Sequence, residues 1–145
     1  MKVSTKGRYA LRLMIDLAEH GRGDFIPLKE VSARQGVSVK YLEQIVNQLS
    51  RAGLLQSVRG AQGGYRLAKS ATEYTAGEIL RVTEGGLAPI ACLDQAAEVC
   101  PRNEHCSTLD FWTGLADVID RYVDSVTLAD LVTDHQKKMG DMPAK

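Results

Sequence analysis

The chain has 145 residues, with 18 Lys+Arg against 18 Asp+Glu, 44% apolar and 25% charged side chains, which is an ordinary globular composition with zero net charge. No apolar run approaches the ~18 residues of a membrane span, and the length fits one domain with an appended helix. The charge is unevenly spread: residues 1–69 hold 12 basic and 5 acidic side chains, a net +7, whereas residues 70–145 hold 6 and 13, a net −7. Such asymmetry points to a nucleic-acid-binding half joined to an acidic one.

Taken in chain order, Thr5 is the expected cap of a first helix whose inner face is Ala10, Leu13, Met14, Leu17 and Ala18, ending at His20-Gly21. After Pro27, Leu28 and Val31 form the stripe of a second helix that stops at Gly36. Ser38 then caps a third, with Leu42, Ile45, Val46 and Leu49 inward. Lys40, Tyr41, Glu43, Gln44, Asn47, Gln48 and Arg51 are left on its outer face. Two short helices joined by a tight Gly-containing turn, the second polar outside, read as helix-turn-helix. Leu54–Val58 and Tyr65–Leu67 are expected as paired strands around Arg59-Gly60-Ala61-Gln62-Gly63-Gly64. A hairpin in that place is a wing, its glycines allowing positive φ and close backbone approach, with Arg59 and Arg66 beside it.

Thr75-Ala76-Gly77-Glu78 spells a capping box before a helix that stops at Gly85-Gly86. The next twenty or so residues have no clear period and hold Cys92, Cys100 and Cys106; a loop of that kind is usually functional or disordered. Ser107-Thr108-Leu109-Asp110 spells a second box, opening a long helix with Leu109, Trp112, Leu115, Ala116, Ile119, Tyr122, Val123 and Val126 as a broad apolar stripe. Thr127 starts a short last helix. The expected organisation is therefore mainly α with a small β-hairpin: residues 1–84 a winged helix-turn-helix domain, 85–106 a cysteine loop, 107–134 a dimerisation helix with a short terminal one, and 135–145 a polar tail.

The basic half suggests the third helix in a major groove and the glycine hairpin against phosphates or a minor groove. Lys40, Gln44 and Asn47 share one helical row. Glu43 either accepts from cytosine N4 and so rejects some sequences, or points outward and touches nothing. Seven residues separate Cys92 from Cys100 and five separate Cys100 from Cys106. Neither gap is the tight hairpin of a zinc knuckle. From spacing alone these are inert buried thiols, ligands of a soft metal centre next to a helix N-terminus, or redox-active thiols. The N-terminus lacks the apolar core of a signal peptide, so a cytoplasmic location without disulfides is expected. No phosphate-binding loop, nucleophile elbow or His-Glu-x-x-His helix is present, so an enzyme is not expected.

The start Met1-Lys2-Val3-Ser4-Thr5-Lys6-Gly7-Arg8-Tyr9-Ala10, the segment Tyr41-Leu42-Glu43-Gln44 and the hairpin Val58–Tyr65 resemble the IscR-type family of bacterial winged-helix transcription regulators; the three cysteines and Trp112 extend the likeness over roughly residues 1–132. The resemblance implies a homodimer joined through the long C-terminal helix, with Leu109, Trp112, Leu115, Ile119 and Tyr122 at the interface. It implies an iron–sulfur cluster on Cys92, Cys100 and Cys106, 2Fe-2S ahead of 4Fe-4S, whose redox or assembly state changes promoter binding. Carried over by position, Tyr41, Glu43 and Gln44 would read double-stranded promoter DNA, with Ser38 and Lys40 on the same helix, and Arg59, Gly60, Gly63 and Gly64 would hold it. The fourth ligand departs from the family. The histidine three residues after the third cysteine is replaced by Leu109, and the N-terminal acid of the nitric-oxide-sensing branch by Arg8. His105, Asp110 and Glu104 are weak substitutes by proximity.

These residues lead to a dimeric repressor gated by an iron–sulfur cluster. The alternatives are the same fold without a cluster, controlled by a partner protein, metabolite or zinc, and, remotely, a thiol-redox enzyme using Cys100 or Cys106.

Overall fold

The computed structural model describes residues 2–140. Helix α1 spans Thr5–Gly21, α2 Leu28–Gln35 and α3 Val39–Arg51. Strands β1 (Leu55–Val58) and β2 (Gly64–Leu67) form an antiparallel hairpin in which Leu55 faces Leu67 and Val58 faces Gly64. Helices α4 (Ala76–Glu84), α5 (Leu109–Ser125) and α6 (Leu128–Gly140) complete the chain. This is the expected winged helix-turn-helix, mainly α with a small hairpin. Ile26, before α2, exchanges two 2.9 Å backbone hydrogen bonds with Tyr65 and so fastens the wing to the helical part.

One core unites these elements. Ala10, Leu13 and Met14 of α1, Val31 of α2, Ile45, Val46 and Leu49 of α3, Ile79 of α4 and Leu128 of α6 are fully shielded from solvent. Each such aliphatic side chain contributes roughly 1.5–3 kcal/mol over its exposed state. Helix α4 is central: it packs on α1, on α3 and on α5. The loop between α4 and α5 is irregular apart from two 3-10 turns at Ala91–Leu93 and Asn103–His105.

Several helix ends differ from expectation. Ser4, not Thr5, caps α1: its hydroxyl accepts from the Gly7 N–H at 3.2 Å. At Thr75 the box is half made. The Thr75 hydroxyl accepts from Glu78 N–H at 3.0 Å, while the Glu78 carboxylate turns to Lys69 Nζ at 3.1 Å. The box at Ser107 does not form, because Thr108 takes the cap position with φ −117°, ψ 0° and no side-chain cap bond. That shift puts Ser107 and Asp110 out of register. Complete boxes stand at Ser70/Glu73 and at Thr127/Asp130. The last helix continues to Gly140 instead of giving way to a polar tail at 135. Its Leu128 is fully buried and His135 pairs with Glu19 of α1, which extends its anchorage. Residues 141–145 of the expected tail lie outside the described residues.

Candidate nucleic-acid interface and cysteine loop

Helix α3 is built to show one face. Ser38 caps it, its hydroxyl accepting from Tyr41 N–H at 3.2 Å, and its four apolar positions sit in the core. Ser38, Lys40, Glu43 and Gln44 are exposed, as is Asn47 on the same row. Tyr41 is half-buried because its ring meets Tyr9 of α1 edge-on, 5.9 Å between centroids. Tyr9 in turn carries the Arg12 guanidinium at 4.8 Å.

Of the twelve cations of the basic half, four are held by side-chain contacts within the chain. The other eight, Lys40 and Arg51 of α3 and Arg59 of the hairpin among them, make none among the described residues. Arg12, Arg34, Arg66 and Lys69 are engaged within the chain. Arg66 in particular lies over the Phe25 ring at 4.3 Å and donates to Gln56 Oε1 at 2.9 Å and Gly23 carbonyl at 3.0 Å. It braces the wing instead of reaching outward. Among the described residues, Lys40, Glu43, Gln44 and Arg59 side chains make no hydrogen bond or ion pair within the chain. Arg59 and Gly60 are exposed at the hairpin tip.

The wing glycines have different roles. Gly60 holds φ +112°, a conformation that L side chains rarely adopt. Gly64 is buried, and a Cβ there would collide with the Ile26 backbone. Close approach, not turn geometry, requires glycine at 64. The sequence reading missed Tyr74, which is fully buried beneath the hairpin. Its hydroxyl donates to the Leu54 carbonyl at 2.6 Å and accepts from Ala68 N–H at 2.8 Å and Lys69 N–H at 3.2 Å. No local pattern marks it, because the carbonyl it donates to lies 20 residues away in the chain.

All three cysteines are free; Cys92 and Cys106 are exposed and Cys100 is half-buried. The inert buried alternative is thereby removed. Cys106 lies just before α5, and its thiol is held below the ordinary thiol range by the Thr108 backbone N–H. The Thr108 hydroxyl (3.7 Å), the Leu109 N–H and the charge of Arg102 assist. This donor set, three accessible soft sulfurs with one biased toward thiolate, suits a thiophilic metal centre in its chemistry. Among the described residues, no three His, Cys, Asp or Glu side chains are gathered closely enough to hold a metal ion, so the loop does not bring the three sulfurs together as it stands. His105, Glu104 and Asp110 are exposed and likewise ungathered.

Helix α5 has no buried residue. Its apolar side chains form two stripes that the sequence reading merged. Ala116, Ile119 and Val123 face inward and line cavities with α4 and the loop. Phe111, Leu115, Val118 and Tyr122, spaced as heptad seam positions, face outward; Phe111, Val118 and Tyr122 are 66%, 53% and 61% exposed. Trp112 meets Phe111 edge-on at 4.9 Å. Of the expected interface residues, Leu115 and Tyr122 lie on the outer stripe, and Leu109, Trp112 and Ile119 are half-buried.

A helix-turn-helix with an exposed polar second helix, followed by a hairpin carrying an unengaged arginine, defines a winged-helix DNA-binding protein. The chain belongs to the Rrf2 family, described as "Iron-dependent Transcriptional regulator", which matches residues 3–134. It is similar to Protein rrf2 of Nitratidesulfovibrio vulgaris, 39% identical over 92% of this chain and 89% of that one. It is also similar to the HTH-type transcriptional regulator IscR of Serratia proteamaculans, 38% identical over 91% and 79%. Among solved structures, CymR, the global cysteine regulator of B. subtilis, superposes with TM-score 0.73 at 41% identity, covering 92% of this chain and 97% of that one. IscR of T. potens gives TM-score 0.72 at 37% identity, covering 100% and 94%. These relatives are transcription regulators, not enzymes, and this chain is a transcription regulator of the same family. No helix among the described residues is long and apolar enough to cross a membrane.

Proposed function

We propose that the chain is a homodimeric repressor that reads promoter DNA with α3 and holds it with the wing. The observation that supports this best is that the two elements a winged helix presents to DNA carry an exposed polar face with the unengaged cations Lys40 and Arg59 on it. Lys40 and Arg59 contact phosphate and release counterions, Gln44 and Tyr41 meet base edges, and Glu43 selects for a cytosine N4 donor. Gly60 lets the tip run close to the backbone of the duplex. The outer stripe Phe111–Leu115–Val118–Tyr122 is an apolar helix face too long to leave in water, and a second copy of α5 is its natural cover.

The regulatory input of this reading is an iron–sulfur cluster, 2Fe-2S, held by Cys92, Cys100 and Cys106. When bound, such a cluster supplies a redox- and iron-sensitive link among otherwise distant parts of the loop. The chain's own contribution is the loop, which must close to gather its sulfurs, and Cys106, whose position at the α5 N-terminus favours the thiolate that ligation requires. Loop closure against α4 and α5 would bias the orientation of the DNA-binding domain.

The experiment is anaerobic purification with an absorbance spectrum, iron and sulfide assay, and DNA binding before and after cluster removal. Visible absorbance that Cys92→Ala or Cys106→Ala abolishes, with a change in DNA affinity, is expected. A colourless protein after anaerobic reconstitution overturns the cluster. A second reading, favoured by the ungathered sulfurs and by Leu109 in place of a ligand, keeps the same repressor without a cluster, under a partner protein, metabolite or zinc. Zinc without iron or sulfide in the same assay selects it.

A further inference from the structure

Helix α5 is attached to the rest of its own chain chiefly through α4. The junction has two parts. At Gly77 the helices come so close that a Cβ would collide with the Asp124 carboxylate, and it would also crowd the Arg81 guanidinium and Val123. One turn further along, Arg81 forks onto α5: Nη1 donates to Asp124 Oδ1 at 2.6 Å, and Nη2 donates to Asp124 Oδ2 at 3.0 Å and to Asp120 Oδ1 at 2.9 Å. The fork is planar and bidentate, so it fixes an angle as well as a distance. Arg81 and Asp120 also line a cavity of about 340 Å³ together with Leu93, Asp94 and Gln95, the residues immediately after Cys92.

Helix α4 packs on α3 as well, so the chain places one helix between the reading helix and the proposed dimer helix. In a dimer joined through α5, the separation of the two reading helices follows from the angle at which each α4 leaves its α5. Half-sites one helical turn apart sit about 34–36 Å from centre to centre, and a small error in that angle misplaces both helices.

We infer that Arg81 is a positioning residue that sets half-site spacing by locking the α4–α5 angle through Asp120 and Asp124. The inference rests on the dimeric reading above. Arg81 itself touches no DNA; it acts through α4.

The test uses the full-length protein and duplexes enriched by in vitro selection with it, resynthesised with the half-site spacing changed by one or two base pairs. The wild-type protein is expected to lose about tenfold or more in affinity on the altered spacings, as a dimer matched to one spacing should. Arg81→Met should reduce that penalty to about threefold or less. Its sedimentation as a dimer and its affinity for a single half-site should be retained. Asp124→Asn should relax spacing in the same way, and the double variant should be no more relaxed than either single one, because all three break the same link. Asp120→Asn, which removes one exposed bond only, gives a smaller relaxation and serves if Arg81→Met does not fold. Sharp spacing preference retained in these variants overturns the role of Arg81. A wild-type protein indifferent to spacing overturns the dimeric reading itself, and the inference with it.

Discussion

Arg34 of α2 grips Asp16 of α1 with its Nη2 2.7 Å from Oδ1 and its Nε 3.0 Å from Oδ2, while Gln35 Nε2 donates to the same carboxylate at 3.0 Å. Among the described residues Asp16 is the one buried charged side chain, and the pair fixes the first helix of the helix-turn-helix to α1. The two partners are not equivalent: the Asp16 side chain is 1% exposed and the Arg34 side chain 31%. Removing Arg34 strands a buried carboxylate, whereas removing the charge of Asp16 leaves an arginine that water can reach. Arg34→Met should therefore cost about 3 kcal/mol and Asp16→Asn about 1–2 kcal/mol. Urea denaturation at matched protein concentration measures both; the reverse order would contradict this account.

Tyr74 makes a second prediction. Its hydroxyl ties Leu54 to Ala68 and Lys69 across the base of the wing, so Tyr74→Phe leaves the Lys69 N–H unpaired, and the Leu54 carbonyl and Ala68 N–H with only their mutual 3.4 Å bond, at a cost of about 1–3 kcal/mol. Burial, opposed by those two N–H bonds and the Lys69 charge, raises the phenol above its ordinary value. A raised folded value means the folded state holds the proton more tightly than the unfolded one. The stabilisation is complete below about pH 10 and declines as the pH climbs toward the folded value. Denaturation midpoints above that pH should fall in the wild-type protein and fall less in Tyr74→Phe.

What the sequence showed and concealed follows from the range of each signal. The helix-turn-helix and hairpin were legible because Leu42, Ile45, Val46, Leu49 and the Gly60–Gly64 run are local periodicities and turn chemistry. Asp16, Tyr74 and Arg81 were not, since each is defined by a partner 18 to 43 residues away in the chain. The two faces of α5 merged for a related reason. Apolar residues recur on both, and only the position of α4 tells the inner Ile119 and Val123 from the outer Phe111 and Val118. The cysteines were visible as a set, yet spacing along an irregular loop carries no information on whether the sulfurs meet.

Arg59 and Gln44, one a cation at the hairpin tip and the other a neutral amide on α3, predict different defects on DNA. Arg59→Ala should weaken binding about equally across sequences and flatten the salt dependence by about 0.9 in logarithmic slope, the value for one phosphate no longer neutralised. Gln44→Ala should leave that slope in place and relax base preference at one position, by about 1–3 kcal/mol for a bidentate hydrogen-bonded pair. Fluorescence anisotropy on the selected duplex, across salt and across single-base variants, separates the two. A shared, uniform defect would place Gln44 away from the base edges.

The outer stripe of α5 predicts an assembly defect. Val118→Glu puts a charge at the centre of a seam with Phe111, Leu115 and Tyr122, where it would have to be buried in a dimer and is free in a monomer. Sedimentation velocity should show a dimer for the wild type and a monomer for the variant, with the helical circular-dichroism signal unchanged. A wild-type monomer at micromolar concentration, or a dimeric variant, would move the interface elsewhere.

Cys106 gives the last prediction, in the metal-free, reduced protein. The first N–H groups of α5 and the Thr108 hydroxyl stabilise its thiolate, so alkylation of Cys106 should switch on with rising pH at a midpoint below that of an ordinary thiol. The larger cause is the Thr108 backbone N–H, which survives side-chain substitution; the hydroxyl does not. Thr108→Val should thus raise the midpoint only part of the way back, while Arg102→Gln should raise it less still, its charge being the weakest of the causes. Mass-resolved iodoacetamide labelling over a pH series follows Cys106 alone within the mixture of three thiols. Full recovery of the ordinary midpoint in Thr108→Val would assign the effect to the hydroxyl instead of the helix N-terminus. No change in either variant would remove the Thr108 hydroxyl and the Arg102 charge from the account and leave the backbone N–H groups as the cause.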